Sequence, residues 1–288
     1  MNVRLGGLFS VHQDRVTVPK RAVIVSGEVS RFVPHQRVQM VASIAGRVFQ
    51  RRLLGIARQG AHGHFQVTLL APGPGRISVR LYHARNGRML SFLGKVSYTA
   101  LDSHVGPGAT GRFVQLVQQR LAALHLFIPQ TGVFDQGTEL ALNAYHRLLG
   151  KGEGITTLDP TTLTDLLNGV GSFHVRYPDQ GRHAEGDLSN QVLAFVNGSK
   201  VQWLFPISSG KPSTPTVLGS FQVYYKQPYY TSDGMYFSSF FHTGYAIHGY
   251  NPAPDYPASH GCMRLPMVDA IPAYNWLQVG NWVDTYYT

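Results

Sequence analysis

The sequence predicts a multi-domain, mainly β protein in which a small helical bundle separates two β-rich segments. The chain has 288 residues, which is long for a single domain. It is 43% hydrophobic, 14% charged and rich in Gly, Tyr and Phe, a composition typical of a folded protein with many strands and turns. The period of its apolar residues also changes twice along the chain, from two to about 3.6 and back.

The first segment, residues 18–102, is predicted to be an Ig-like β-sandwich. Apolar and polar residues alternate over 21–29, 37–44, 64–70 and 76–83, and turn signals such as Asn86-Gly87 separate such runs. Short, evenly spaced strands with these turns are typical of a small β-sandwich. No catalytic constellation occurs in this segment.

The first segment also carries the excess positive charge. Residues 1–103 contain 15 Lys/Arg and 3 Asp/Glu, whereas residues 104–288 contain 10 and 12. An anionic polymer of the cell envelope or a membrane surface would complement this charge, and an arginine-rich solvated surface is the alternative. The aromatic–basic interleaving of a nucleic-acid module is absent from the sequence, so no nucleic-acid partner is expected.

The second segment, residues 108–170, is predicted to be a three-helix bundle. Apolar residues recur at helical spacing over 113–124 and 138–145, and Asp159-Pro160 is a typical start for a third short helix. The segment resembles a peptidoglycan-binding domain of the three-helix type at 117–121 (VQQRL), 131–135 (TGVFD) and 138–145, but has His146 where a glutamine is usual. An unrelated small helical hairpin is the alternative.

The third segment, residues 173–288, is predicted to be β-rich with one helix near its end. Runs 191–196 and 201–207 flank Asn197-Gly198, the strongest short signal of a β-hairpin. Further strands are predicted at 219–225, 236–241, 246–248 and 282–286, and a helix at 268–277.

The chemistry of this segment centres on Cys262, the only cysteine, within residues 259–265 (SHGCMRL). His248 stands upstream, and one thiol with a histidine base is the arrangement of a cysteine acyl-transfer enzyme. A neighbouring imidazole lowers a thiol pKa, and the N–H groups around Gly261 and Cys262 would suit an oxyanion hole. The alternative is an inert, buried cysteine.

No metal and no cofactor are expected. A single cysteine excludes an internal disulfide and thiolate-only metal sites, and the 13 histidines form no HExxH pattern. The sequence has no apolar run long enough to cross a membrane, and Met1 to Lys20 lacks the apolar centre of a signal peptide.

Residues 173–288 resemble an L,D-transpeptidase catalytic domain of the YkuD type. The matching elements are His248-Gly249, the heptapeptide 259–265, and the segment 208–221, which includes Ser208-Ser209-Gly210 and Thr214-Pro215. The resemblance implies acyl transfer on peptidoglycan stem peptides in the cell envelope, outside the cytoplasm. An amine acceptor would give a cross-link, and water as acceptor would make the enzyme a carboxypeptidase.

The resemblance also assigns roles. Cys262 is the predicted nucleophile, His248 the base and then acid, and His260 and Gly261 shape the turn and the oxyanion site. Substrate contacts are predicted for Arg264, Ser259, Gly249 and Tyr236, although Arg264 and Ser259 are alternatively bracing groups of the turn. Two departures are Arg264, where the family often has asparagine, and the short connection 249–258.

Three points stay open at this stage. Either the Gly249 carbonyl or Asp255 would orient His248. The aromatic residues Tyr229, Tyr230, Tyr236 and Phe240 would line a peptide groove or belong to the core. A non-catalytic wall-anchoring protein and a cysteine peptidase acting on proteins are the competing functions.

Overall fold

The computed structural model describes residues 2–85, 88–152 and 157–288, and it divides into two compact units. The units are Met1–Val105 and Gly106–Thr288. The predicted turn at Asn86-Gly87 lies outside the described residues.

The first unit is built from two sheets that share one hydrophobic core. Its strands are β1 (Asn2–Gly6), β2 (Phe9–Val11), β3 (Asp14–Thr17), β4 (Ala22–Val29), β5 (Arg37–Ile44), β6 (Arg47–Gly55), β7 (Ala57–Gln59), β8 (His62–Leu70), β9 (Gly75–Arg85) and β10 (Arg88–Ala100). The sheet orders are β1-β4-β8-β7 and β2-β3-β10-β9-β5-β6. Alternate residues such as Val25 and Val79 meet in the core, as the period-two pattern predicts. Strands β1 to β3 extend the unit upstream of residue 18, where the sandwich was predicted to begin.

The second unit opens with the three predicted helices: α1 (Arg112–Ala123), α2 (Gln136–Leu148) and α3 (Pro160–Asn168). Asp135 caps α2 by accepting from the Thr138 N–H at 2.9 Å, and Asp159 caps α3 by accepting from the Thr161 and Thr162 N–H groups. Gln118 of α1 is fully buried and braces the turn before α2 through its bonds to Gly132 and Val133.

Two further sheets and a fourth helix follow. The strands are β11 (Arg182–Asp187), β12 (Val192–Asn197), β13 (Lys200–Pro206), β14 (Gly219–Gln222), β15 (Tyr225–Tyr230), β16 (Tyr236–His242), β17 (Tyr245–Gly249), β18 (Met263–Leu265) and β19 (Trp282–Tyr286), and the helix is α4 (Met267–Trp276). The sheet orders are β13-β12-β11-β19-β14 and β15-β16-β17-β18. One core cluster includes residues of both sheets and of α4.

The helical segment is joined to this core. Phe127 donates its N–H to the Leu204 carbonyl at 3.0 Å, and Leu204 donates to the His125 carbonyl at 2.8 Å. The Phe127 ring packs against Trp203 and Phe205 at 5.2 and 5.1 Å between centroids. The segments predicted as 108–170 and 173–288 therefore lie in one compact unit.

Candidate active site

The parallel pairing of β17 with β18 sets the position of the thiol relative to the upstream histidine. Ile247 pairs with Met263 and His248 pairs with Arg264, so Cys262 enters β18 beside the strand that carries His248. The connection 250–258 is long enough to return the chain for this parallel pairing. Strand β17 is also paired with β16 on its other side and is therefore held in the interior of the sheet.

His248, the predicted base, is held as a neutral imidazole. Its Nδ1 lies 2.9 Å from the Gly249 carbonyl oxygen, which can only accept, so Nδ1 carries the proton and Nε2 keeps its lone pair. The side chain is 2% exposed, and this burial lowers the pKa of His248 to about 4; the nearby Arg264 charge acts in the same direction. Of the two groups expected to orient His248, the Gly249 carbonyl is the one that contacts its ring. Asp255 contacts Asn143 and Arg147 instead.

Cys262 is partly exposed, and its Sγ lies 3.7 Å from the Gly244 carbonyl oxygen. Burial raises the pKa of the Cys262 thiol, against the smaller opposing effects of a hydrogen bond with the Ala246 backbone and of the Arg264 charge. The neighbours were predicted to lower this pKa. The desolvation of a thiolate outweighs them, so the free protein holds Cys262 as a thiol.

Ser259 and Gly261 build the turn before the thiol. The Ser259 hydroxyl donates to the Cys262 carbonyl at 2.6 Å and accepts from the Gly261 N–H at 3.0 Å. Both the Gly261 N–H and the Cys262 N–H were predicted to donate to the oxyanion. The Gly261 N–H is already bonded to the Ser259 hydroxyl, whereas the Cys262 N–H is not bonded to Ser259. Gly261 has a φ of 122°, and a Cβ there would stand 2.0 Å from Cε1 of Tyr245. Only glycine fits this position without a shift.

Residues 181–284 match the family model of the YkuD L,D-transpeptidase catalytic domain. An L,D-transpeptidase from Xylanimonas cellulosilytica is 29% identical with a TM-score of 0.58, over 64% of this chain and 98% of that one. The catalytic domain of the E. faecium L,D-transpeptidase is 26% identical with a TM-score of 0.34, over 37% of this chain and 98% of that one. An L,D-transpeptidase from Mycobacterium smegmatis is 12% identical with a TM-score of 0.33, over 99% of this chain and 100% of that one. No curated protein matches the chain.

Within the YkuD-type domain, several predicted substrate contacts are braces of the protein itself. The Arg264 guanidinium donates to the Ala258 carbonyl at 3.4 Å and lies 4.1 Å from the Tyr250 ring centroid. Ser259 and Gly249 are both buried, and a Cβ on Gly249 would stand 2.6 Å from the Ala270 Cβ. These contacts brace the protein, and the substrate contacts of the three residues stay predictions.

His260 and the aromatic hairpin face solvent. His260 is exposed, and its Nε2 lies 3.3 Å from the Lys211 Nζ. The Tyr236 ring lies 4.7 Å from the Tyr230 ring, tilted by 39°, on the β15–β16 hairpin, where Tyr229 and Tyr230 are 72% and 62% exposed. Tyr229 and Tyr230 are thus outside the core, whereas Tyr236 and Phe240 are half-buried, and the peptide groove stays a prediction.

Three residues of the site carry no signal of their own in the sequence. Lys211 beside His260, the Gly244 carbonyl beside Cys262 and the Tyr245 ring under Gly261 come together only in the fold. Lys211 does fall within the segment 208–221 that resembles the family, so that match was the available signal.

The described residues contain no cluster of three or more His, Cys, Asp or Glu side chains that could hold a metal ion. In the same part of the chain, no helix is both long and apolar enough to span a bilayer.

Proposed function

We propose that the protein is a cell-wall L,D-transpeptidase that works outside the cytoplasm and acts through a Cys262 thioester. The donor is a peptidoglycan stem peptide that ends in a D-amino acid. The Cys262 Sγ attacks the carbonyl before that residue while His248 Nε2 takes the thiol proton. His248 then returns the proton to the departing amine, and the stem peptide stays on Cys262 as a thioester.

An amine of a second stem peptide resolves the thioester. It loses its proton to His248, forms the new amide with the donor carbonyl, and releases the Cys262 sulfur, which regains the proton. The same steps with water instead of the amine release a shortened peptide, which is carboxypeptidase activity. One imidazole thus serves as base and acid in both halves of the reaction.

The observation that carries this proposal is the β17–β18 pairing together with the 2.9 Å bond from His248 Nδ1 to the Gly249 carbonyl. The pairing brings the Cys262 turn beside the histidine strand, and the bond leaves Nε2 unprotonated at neutral pH. A buried, inert cysteine would need neither feature.

The test is incubation of the protein with a tetrapeptide stem fragment and an amine acceptor, followed by mass spectrometry. Cross-linked product that disappears in Cys262→Ala supports the transpeptidase, and a trimmed tripeptide alone supports the carboxypeptidase. A carbapenem adduct on Cys262 is a second readout that the family resemblance predicts. No Cys262-dependent product in either assay contradicts both activities.

We further propose that the helical segment binds peptidoglycan. Its turn at 131–135 is braced from inside by Gln118, while Val133 is 41% exposed at its surface. The test is co-sedimentation of the full chain with purified sacculi, in a Cys262→Ala background that prevents covalent capture. The proposal is supported if the protein sediments with the sacculi and Val133→Asp weakens this binding. It is contradicted if the proteins with and without Val133→Asp sediment equally.

For the first unit we propose an anionic, phosphodiester-rich polymer of the envelope as partner. The sheet register places Lys95 opposite Arg80, Arg80 opposite Val41, and Val41 opposite Arg51, so three cations share one row across four strands. All three cations are exposed, and none has an ion pair within 4.0 Å in the described part of the chain. Directly opposed like charges destabilise a sheet, and a bound polyanion would relieve that repulsion.

Binding to poly(glycerol phosphate) at several salt concentrations tests this row. Two triple variants lose the same charge from exposed positions: Arg51→Gln/Arg80→Gln/Lys95→Gln in the row, and Arg4→Gln/Arg31→Gln/Lys20→Gln outside it. A larger loss of affinity in the row variant supports the proposal. Equal losses indicate a general charge effect, and tighter binding to DNA indicates a nucleic-acid surface; either result contradicts it.

A further inference from the structure

The loop 250–258 connects the two catalytic groups. It leaves β17 directly after His248 and Gly249 and ends at Ser259, three residues before Cys262. Whatever fixes this loop therefore sets the position of the thiol relative to the imidazole.

Helix α2 of the helical segment holds the loop at Asp255. The Asn143 side-chain amide donates to Asp255 Oδ2 at 3.1 Å, and Arg147 Nη2 lies 3.9 Å from the same oxygen. Asn143 and Arg147 are each 4% exposed, whereas the Asp255 side chain is 27% exposed. A carboxylate near a buried arginine stabilises it, because an arginine charge is costly in the interior.

A chain of hydrogen bonds also connects Arg147 to Ala258 and Ser259, where the turn before Cys262 begins. Arg147 Nη1 donates to the Gln191 carbonyl at 3.3 Å. The Gln191 side chain accepts from the Ser209 N–H at 2.8 Å and donates to the Ser209 hydroxyl at 2.7 Å. The Ser209 carbonyl in turn accepts from the N–H groups of Ala258 and Ser259, each at 2.9 Å.

The other ties of the loop come from the YkuD-type domain itself. Ser208 donates its hydroxyl to the Tyr256 carbonyl at 2.6 Å, and Arg264 lies over the Tyr250 ring. The Asp255 tie differs because it originates in the helical segment, more than 100 residues upstream.

We propose that Arg147 is a positioning residue of the active site: it acts through Asp255 and through Gln191 to hold the loop 250–258, and with it the Cys262 turn. The helical segment is then a working part of the catalytic centre, whether or not it also binds the wall. The consequence for turnover rests on the proposed transpeptidase function, whereas the consequence for thiol reactivity does not.

The experiment compares full-length wild type, Asp255→Ala, Arg147→Met, the double variant and the control Asp179→Ala. Asp179 is exposed and takes no part in these contacts, so its variant loses the same charge without the tie. Three readouts are needed: kcat and KM for the tetrapeptide reaction, the rate of Cys262 alkylation by iodoacetamide, and hydrogen exchange of the peptide that covers 250–262.

We expect Asp255→Ala to lower kcat by about 10- to 100-fold with KM changed less than about threefold, because a catalytic group displaced by about 1 Å loses rate on this scale. Hydrogen exchange over 250–262 becomes faster, the alkylation rate changes with it, and Asp179→Ala behaves as wild type. The double variant should lose less than the sum of the two single losses, because the Arg147–Asp255 contact is removed in both single variants.

If hydrogen exchange is faster in Asp255→Ala but kcat and the alkylation rate are unchanged, the Asp255 contact is only structural and the proposal is overturned. Unchanged hydrogen exchange in Asp255→Ala would overturn it as well. Asp255 is the decisive position if Arg147→Met does not fold, because its side chain is partly exposed. A wild type without cross-linking activity would remove the transpeptidase function, and the alkylation and exchange results would still decide the positioning role.

Discussion

Gly261→Ala tests the most constrained position of the catalytic turn. The residue has a φ of 122°, which costs an L-residue about 1–2 kcal/mol. Its new Cβ would stand 2.0 Å from Cε1 and 2.7 Å from Cδ1 of Tyr245. Relief of such overpacking costs about 1–3 kcal/mol more, so we expect a loss of about 2–5 kcal/mol in the free energy of unfolding.

The assay is urea unfolding followed by tryptophan fluorescence. All three tryptophans lie in the second unit, so the signal reports on that unit alone. Gly280→Ala is the matched control. Its φ is 90°, but nothing lies within 4 Å of the added Cβ, so it should lose only the free energy that comes from backbone strain. Tyr245→Ala in the Gly261→Ala background should recover the free energy of unfolding that is lost through the clash with the Tyr245 ring. If Gly261→Ala and Gly280→Ala lose the same free energy, the steric argument is refuted.

Three further predictions concern ionisable groups. Because the pKa of the Cys262 thiol is raised by burial, its alkylation rate should rise about tenfold per pH unit from about pH 6 to about pH 9, and a plateau near neutral pH would contradict this. His248→Gln should lower the acylation rate by about 10²- to 10⁴-fold, whereas the exposed His174→Gln should not; equal rates would remove His248 as base. Burial raises the pKa of Asp269 to about 7 from 3.8, so the stability that this group contributes is complete below about pH 4 and falls as pH rises to 7. Asp269→Asn should therefore gain up to about 4 kcal/mol at pH 8 and little at pH 4, as measured by urea unfolding; no gain at pH 8 would contradict the shift.

The elements that sequence reasoning predicted well are those with local causes. Asp135 and Asp159 cap the helices they precede. The predicted β12–β13 hairpin also forms, but its turn is Gly198-Ser199 rather than Asn197-Gly198, because Asn197 pairs with Lys200 at the end of the strands. Gly198 has a φ of 60°. The signature around Cys262 also has a local cause, because its glycine and serine build the turn that presents the thiol. Such signals lie within a few residues and survive in any tertiary context.

Strand β11 was missed because its stability is not local. Its sequence RHAEGD reads as a polar loop, yet Glu185 is fully buried and accepts from His183 at 3.0 Å, from the Arg176 and Tyr177 N–H groups, and from the Tyr286 hydroxyl at 2.8 Å. Tyr286 lies about 100 residues downstream. A buried carboxylate with this many donors is satisfied, but the donors are visible only in the fold.

Strand β6 was missed for the opposite reason. It is an edge strand with exposed charges such as Arg51 and Arg52, and it lacks the clean alternation of an inner strand. Charged edges of this kind prevent further strand pairing and blur the period-two signal. The four predicted strands correspond to β4, β5, β8 and β9, which are all inner strands, but the inner strand β10 was missed as well.

The charge states of Cys262 and His248 bear directly on the proposed chemistry. Burial disfavours both the thiolate of Cys262 and the imidazolium of His248, so the free site holds a neutral pair at pH 7. Thiolates, not thiols, are oxidised and alkylated, so a neutral Cys262 thiol is expected to react slowly with oxidants and alkylating agents. In the proposed reaction, the ion pair has to form during attack, when the substrate carbonyl accepts the sulfur and His248 accepts the proton. Placement of the two groups is consequently decisive, because a neutral thiol displaced from its base has little reactivity of its own.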